Sequence, residues 1–537
     1  GAPRAAARIS FLPLSAKPKI CRTNFGRVQG RFDRGVEVRR NTRRCGLPCR
    51  TRISRYLRRM RLLPSLAALL FVSAACLEYT PAARPSDDEI TPRDGGSQPV
   101  EGMRPAEGGV RPAEGGARPA DGAMTAADGG RSGDASAPEL DAGVEPPPPF
   151  EPAFFDLNHI LSTGQSLSLG TGGAPALSTI QRFDNKKFNT GLRAGGTGLT
   201  SFVPLVEAGS ETMSTSMSTL ITSLAESETL AGKLPPRNTH RLLVSLHGVG
   251  ATAYVGLKKG TAPFTDAMAQ VTAGKALSEA AGMTYVVRAV SNVHGESDHI
   301  ARNALYEQDL VEWQKDYEND VSAITGQKEP IPMLHTQMSS WTHYGQATST
   351  IPAAQLAASV KSKGKIVMVG PKYFLAYNSD GVHLNNVGNR HMGEYYAKAY
   401  RRVVLEGKVW EPLRPASITR NGNVIRVVFL VPSPPLVFDT TLVSAIANQG
   451  FEYTDSSGAP PTITSVSLDG PDAVKIELAT TPTGAGKRLR YAYTGVPKAA
   501  AGPTSGPRGN LRDSDMTPSR VNNPLYNWAV HFDEPIP

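Results

Sequence analysis

The chain has 537 residues, enough for two or three domains and a sizeable core. Its formal charge of +10 at pH 7 is a poor guide to partners, because residues 1–75 hold 18 Lys and Arg against 2 acidic residues. The remainder carries 40 basic and 46 acidic residues, a mildly acidic balance that gives a nucleic-acid role no support.

Taken in chain order, the first signal is N-terminal. Arg58, Arg59 and Arg61 flank Met60, and residues 62–75 form an apolar run. That run has the length of a secretory signal core and is too short to span a bilayer as a helix. Residues 60–76 therefore read as a signal peptide. It ends Val72-Ser73-Ala74-Ala75-Cys76, which resembles a bacterial lipobox, with Ser73 where Leu is usual. The resemblance implies lipid attachment at Cys76, a membrane as partner and a place in the cell envelope. Residues 1–59, Arg-rich and without periodicity, are expected to be a non-native or disordered upstream segment; a long basic arm is the alternative. All four cysteines, Cys21, Cys45, Cys49 and Cys76, precede residue 77. No disulfide framework or Cys-based metal site is possible after it.

Residues 77–150 are expected to be a disordered tether. Arg104-Pro105-Ala106-Glu107-Gly108-Gly109 recurs at 111–116 and, loosened, at 118–123. Pro and Gly occupy the positions a coiled-coil heptad would fill with apolar residues. Such sequence buries too little surface to offset its ordering entropy.

Residues 151–407 alternate apolar runs with helix-period segments. Strands are predicted over 154–161, 241–246, 284–293, 331–337 and 365–369, with helices over 217–231, 264–281, 299–325, 353–362 and 389–405. Five strands with intervening helices predict an α/β fold, a parallel five-stranded sheet with helices on both faces. Residues 412–537 lose helical periodicity. Short β-rich runs separated by Pro, Gly and Asn predict a small β-sandwich accessory domain.

The chemistry-bearing residues fall in the α/β part. Ser166 follows the first predicted strand, at a carboxyl end where open α/β sheets place their sites. Asp380 lies three residues before His383, so one turn lets the carboxylate orient the imidazole. Ser166, His383 and Asp380 then supply nucleophile, base and orienting acid. The backbone N–H groups of Ser166 and Gly250 are candidate donors to a developing oxyanion. Asp298 and His299 are too few for a metal site, and no cofactor is required by this set.

Four blocks in this order resemble the SGNH-hydrolase superfamily. They are Gly164-Gln165-Ser166, Val249-Gly250-Ala251-Thr252, His294-Gly295-Glu296-Ser297 and Asp380-Gly381-Val382-His383. The branch is the one with sialate O-acetylesterases and related carbohydrate acetylesterases, and the resemblance covers about residues 154–405. It implies a flavodoxin-like sheet with strand order 2-1-3-4-5. It also implies a third oxyanion donor from the side chain leading the third block, here His294 where the branch usually has Gln. Leu167 replaces the usual Asn after the serine. Gln165 and Glu296 are expected to support the site from behind. Tyr373, Phe374 and Tyr377 read equally as an aromatic wall for a sugar or as loop core.

The expected function is a secreted serine esterase hydrolysing O-acetyl esters, with an acetylated carbohydrate or another ester as substrate. The alternative is a decayed hydrolase serving as a surface carbohydrate-binding or adhesion protein. An esterase acting on lipids or small alkyl esters is a third reading.

Overall fold

The computed structural model describes residues 154–230, 232, 240–521 and 523–537. The expectations for 1–59, 60–76 and 77–150, Cys76 among them, lie outside the described residues.

The polypeptide first runs through β1 (Leu157–Gly164), in which every residue is buried. Burial on both faces is what a central parallel strand requires. Ile160 faces one core layer and Leu161 the other, as the two-residue period of a strand dictates. Two three-residue strands follow, β2 (Lys186–Phe188) and β3 (Phe202–Pro204). Next come α1 (Ser214–Leu230), β4 (Leu242–Leu246), α2 (Ala262–Ala280) and β5 (Tyr285–Val293). Then follow α3 (Glu296–Ile300), α4 (Tyr306–Thr325), β6 (Met333–Gln337), α5 (Ile351–Lys361), β7 (Ile366–Pro371) and α6 (Asn386–Tyr400).

The strands order as β3-β2-β4-β1-β5-β6-β7. The five expected strands are all present and, numbered among themselves, run 2-1-3-4-5 in parallel. The sheet has seven strands rather than five. β2 and β3 were not expected, because three residues are too short to carry a period. Helices α1 and α6 cover one face, with Met217, Ile221, Met392 and Tyr396 in its core. Helices α2, α4 and α5 cover the other, around Phe264, Leu310, Trp313 and Ile351.

The single helix expected over 299–325 is two. Arg302 takes φ +55, and Asn303 bridges Asp298 and Asp309 at 2.7 Å each, so the chain turns between α3 and α4. α6 starts three residues earlier than its apolar pattern, because Asn385 caps it by accepting the Gly388 N–H at 2.8 Å.

Beyond α6 lie β8 (Arg414–Asn421), β9 (Val424–Leu430), β10 (Val437–Phe438), β11 (Phe451–Thr454) and β12 (Ile463–Leu468). They are followed by β13 (Ala473–Leu478), β14 (Arg488–Tyr491), β15 (Leu511–Arg512) and β16 (Phe532–Pro535). They form antiparallel sheets of four, three and two strands, finer in division than the two-sheet sandwich expected. Their core, with Ile425, Phe451, Tyr491 and Phe532, also takes in Leu356, Met368 and Tyr373 of the α/β region. The two regions are thus packed through one apolar cluster.

Candidate active site

Every group of the site sits at the carboxyl edge of the parallel sheet. β1 ends at Gly164, whose φ of +120 favours glycine and whose Cβ, if present, would lie 2.2 Å from the Val293 carbonyl oxygen. That close approach, with Gln165 N–H donating to the same carbonyl at 3.1 Å, turns the chain so that Ser166 stands at the strand end. Leu167 goes into the core instead. Gln165 is buried, and its Oε1 accepts the Ser297 N–H at 3.1 Å, tying the serine turn to α3.

His383 Nε2 is 2.7 Å from Ser166 Oγ, and His383 Nδ1 is 2.6 Å from Asp380 Oδ2. The geometry fits one tautomer, with Nδ1–H donating to the carboxylate and Nε2 accepting from the hydroxyl. Asp380 Oδ1 accepts the N–H groups of Val382 and His383, both at 2.9 Å. Partial burial pushes the Asp380 carboxyl up. The two N–H donors and the imidazole outweigh it and hold the group below its usual range. The side chains of His383 and Asp380 are 20% and 42% exposed, so both groups are open to solvent.

The loop after β4 runs along the end of β1, with Val249 N–H donating to the Gly164 carbonyl at 3.0 Å. This brings Gly250 to the serine: a Cβ built on Gly250 would lie 4.0 Å from Ser166 Cβ.

His294 departs from its expected oxyanion role. It is buried, with Nε2 2.9 Å from the Thr252 carbonyl oxygen and Nδ1 2.7 Å from Tyr306 Oη. A carbonyl only accepts, so Nε2 carries the proton and Nδ1 accepts from the tyrosine hydroxyl. Both ring nitrogens are used, leaving no donor for a substrate oxygen. Burial holds the imidazole below its usual range and favours this neutral form. The ring instead holds the loop that carries Gly250.

Glu296 is buried against Lys372, with Oε1 at 3.0 Å from Nζ and 3.2 Å from Ser340 Oγ. Burial pushes its carboxyl up, but the lysine charge and hydrogen bond hold it below the usual range. Asp298 and His299, adjacent in sequence, are committed elsewhere. Asp298 accepts the Tyr254 N–H at 2.9 Å, and His299 Nδ1 lies 2.9 Å from Ser349 Oγ.

The chain aligns with several solved structures. A carbohydrate acetylesterase from Xanthomonas citri aligns with a TM-score of 0.45 at 13% identity, covering 70% of this chain and 80% of that one. A protein from Arabidopsis thaliana aligns at 0.36 and 16% identity, covering 47% and 98%. A carbohydrate acetylesterase from Sinorhizobium meliloti aligns at 0.26 and 10% identity, covering 45% and 97%. No family model matches the chain, and no curated protein sequence does.

The three aromatic residues before Asp380 are packing groups, Tyr377 among those packed against the core that α1 and α6 cover. Tyr373 donates to the Ala529 carbonyl at 2.8 Å, and Phe374 stacks on Trp528 at 5.5 Å between centroids. Sequence reasoning missed Lys372, whose only signal is a lone cation ending an apolar strand. It also missed Thr342 and residues 495–501, which reach the site from far along the chain and carry no local signal.

Proposed function

We propose that this protein is a serine ester hydrolase that removes O-acetyl groups from carbohydrates. The observation that carries the reading is the unbroken hydrogen-bonded line from Ser166 through His383 to Asp380. The four sequence blocks support the choice of an acetyl ester on a sugar, and the open setting of the triad suits a bulky acceptor.

In the reaction, Ser166 Oγ attacks the ester carbonyl as its proton passes to His383 Nε2. Asp380 stabilises the imidazolium and keeps its orientation. The oxyanion takes hydrogen bonds from the backbone N–H groups of Ser166 and Gly250. The bond from the acyl carbon to the sugar oxygen then breaks as the imidazolium gives its proton to that oxygen, freeing the sugar hydroxyl and leaving an acetyl-enzyme. Water, deprotonated by His383, attacks that ester; the bond to Ser166 Oγ breaks, the imidazolium returns its proton to that oxygen, and acetate leaves. The reading extends to secretion and lipid attachment at Cys76, which incorporation of labelled fatty acid into the chain, lost in Cys76→Ser, would test.

The test of activity is hydrolysis of p-nitrophenyl acetate and of an acetylated polysaccharide by the full chain. Acetate release that Ser166→Ala abolishes without unfolding is the expected result. No release from either substrate by the folded protein would overturn the reading. One observation favours the alternative of a carbohydrate-binding surface: the engagement of both His294 nitrogens removes a donor that the related blocks supply. Binding of the polysaccharide without turnover would establish that alternative.

A further inference from the structure

We propose that residues 495–501, in the β region, form a strap that positions the catalytic Asp380–His383 turn, and that Thr342 is the positioning residue anchoring it. The inference rests on the serine-esterase reading of the triad.

Thr342 is fully buried on the single turn Trp341–Tyr344 that follows β6. It holds the strap twice. Its Oγ1 donates to the Ala499 carbonyl at 2.8 Å, and its own carbonyl accepts the Lys498 N–H at 2.6 Å. The Gly495 N–H adds a bond to the Ala347 carbonyl at 2.9 Å. So fixed, the strap reaches the catalytic turn. Ala501 N–H donates to the Gly381 carbonyl at 2.9 Å. Ala500 closes on Gly381 so tightly that a Cβ there would lie 2.5 Å from the Ala500 Cβ. Gly381 has φ +70, so glycine is required there on two counts.

The hydrogen bonds inside the turn set its shape. Asp380 Oδ1 binds the N–H groups of Val382 and His383, and Asn378 N–H meets the His383 carbonyl at 2.7 Å. None of these bonds fixes where the turn stands relative to Ser166. Buried Val382 and Leu384 and the Asn385 N–H bond to the Ala376 carbonyl at 3.1 Å hold the His383 side of the turn, and the strap holds its exposed Asp380–Gly381 side from a separate element. An error of about 1 Å in such a placement costs on the order of 100-fold in rate.

The test uses the full chain with three variants. Thr342→Val keeps the buried shape and removes the donor to Ala499; Thr342→Ser restores it. Ala500→Gly removes the contact with Gly381 at an exposed position. Each is read by kcat and KM, and by the far-downfield NMR proton of His383 Nδ1 bonded to Asp380, which needs no turnover. Thermal unfolding establishes that each variant is folded. We expect Thr342→Val to lower kcat by about 10-fold or more with KM unchanged, and to broaden the downfield proton. Thr342→Ser recovers both, and Ala500→Gly shifts both in the same direction by less. Folded Thr342→Val and Ala500→Gly proteins with wild-type kcat and an unaltered proton signal overturn the strap. If Thr342→Val does not fold, Ala500→Gly alone decides in the same way. If the wild-type chain shows no hydrolysis, the esterase reading falls and the proton signal decides the strap by itself.

Discussion

His383 Nε2 meets Ser166 Oγ at 2.7 Å across 217 residues of chain. The contact joins the turn that follows β1 to the turn that precedes α6, and the resulting pair needs no movement to transfer a proton. Ser166→Ala and His383→Ala should each lower kcat for p-nitrophenyl acetate by about 10,000-fold or more, with similar melting temperatures. Asp380→Asn should cost less, roughly 100- to 10,000-fold, since water reaches this exposed carboxylate and replaces part of its effect. Equal activity of Ser166→Ala and wild type would remove the serine from the mechanism.

The commitment of His294 to Thr252 and Tyr306 leads to a second expectation. A side chain that donated directly to the oxyanion would cost about 100- to 1000-fold in kcat when removed. His294 instead acts on Gly250 through the loop, since Thr252 Oγ1 also donates to the Gly250 carbonyl at 3.0 Å. His294→Phe, which keeps a ring but has no donor, should therefore cost only about 10-fold, from imperfect loop placement. A loss as large as that of a direct donor would show that the ring turns toward substrate during turnover.

The parts of this arrangement legible in the sequence were those with local signatures. The five strands announce themselves as apolar runs. The turn holding Asp380 and His383 is a four-residue motif, and Ser166 follows a buried strand. β2 and β3 escaped because three residues carry no period, and α3 because a polar turn splits one apparent helix pattern. The fate of His294 was illegible for another reason. Its two partners, the Thr252 carbonyl and the Tyr306 hydroxyl, lie on different elements, and only tertiary packing decides whether an imidazole faces them or the substrate. Contacts such as that of His531 Nε2 with Ser339 Oγ, 2.8 Å across 192 residues, are equally silent.

The buried ion pair of Glu296 and Lys372 predicts an asymmetric mutational response. Their side chains are 1% and 0% exposed. Lys372→Met leaves the carboxylate buried without its partner and should destabilise the fold by about 3–5 kcal/mol in urea titration. Adding Glu296→Gln should recover a large part of that loss by removing the orphaned charge. Glu296 precedes Ser297, whose N–H holds Gln165 beside Ser166, so the single variant should also lower kcat. A double variant no more stable than Lys372→Met would show that the pair's charges are not what the fold depends on.

The buried histidines predict a loss of stability in acid. Burial holds His159, His240, His335 and His531 down to about 3 and His247 to about 4, against an ordinary value of 6.5. Each is neutral in the folded protein at pH 5, whereas the unfolded chain protonates it below about 6.5. The unfolded state therefore binds more protons through this window, and stability falls as pH falls. It is fully present above pH 6.5 and is lost progressively down to about pH 3–4, at up to about 1.4 kcal/mol per pH unit for each histidine. His159 illustrates the cause: it lies buried in β1 between Tyr285 Oη at 2.6 Å and Ser245 Oγ at 2.8 Å, two neutral partners that do not balance a charge on the ring. Melting temperatures measured from pH 8 to pH 4 should be flat above about 6.5 and fall steeply below it. His159→Gln, which keeps polar atoms but cannot titrate in this range, should flatten the slope even where it lowers stability at pH 8. A melting temperature that holds constant to pH 4 would mean that these imidazoles accept protons in the folded state.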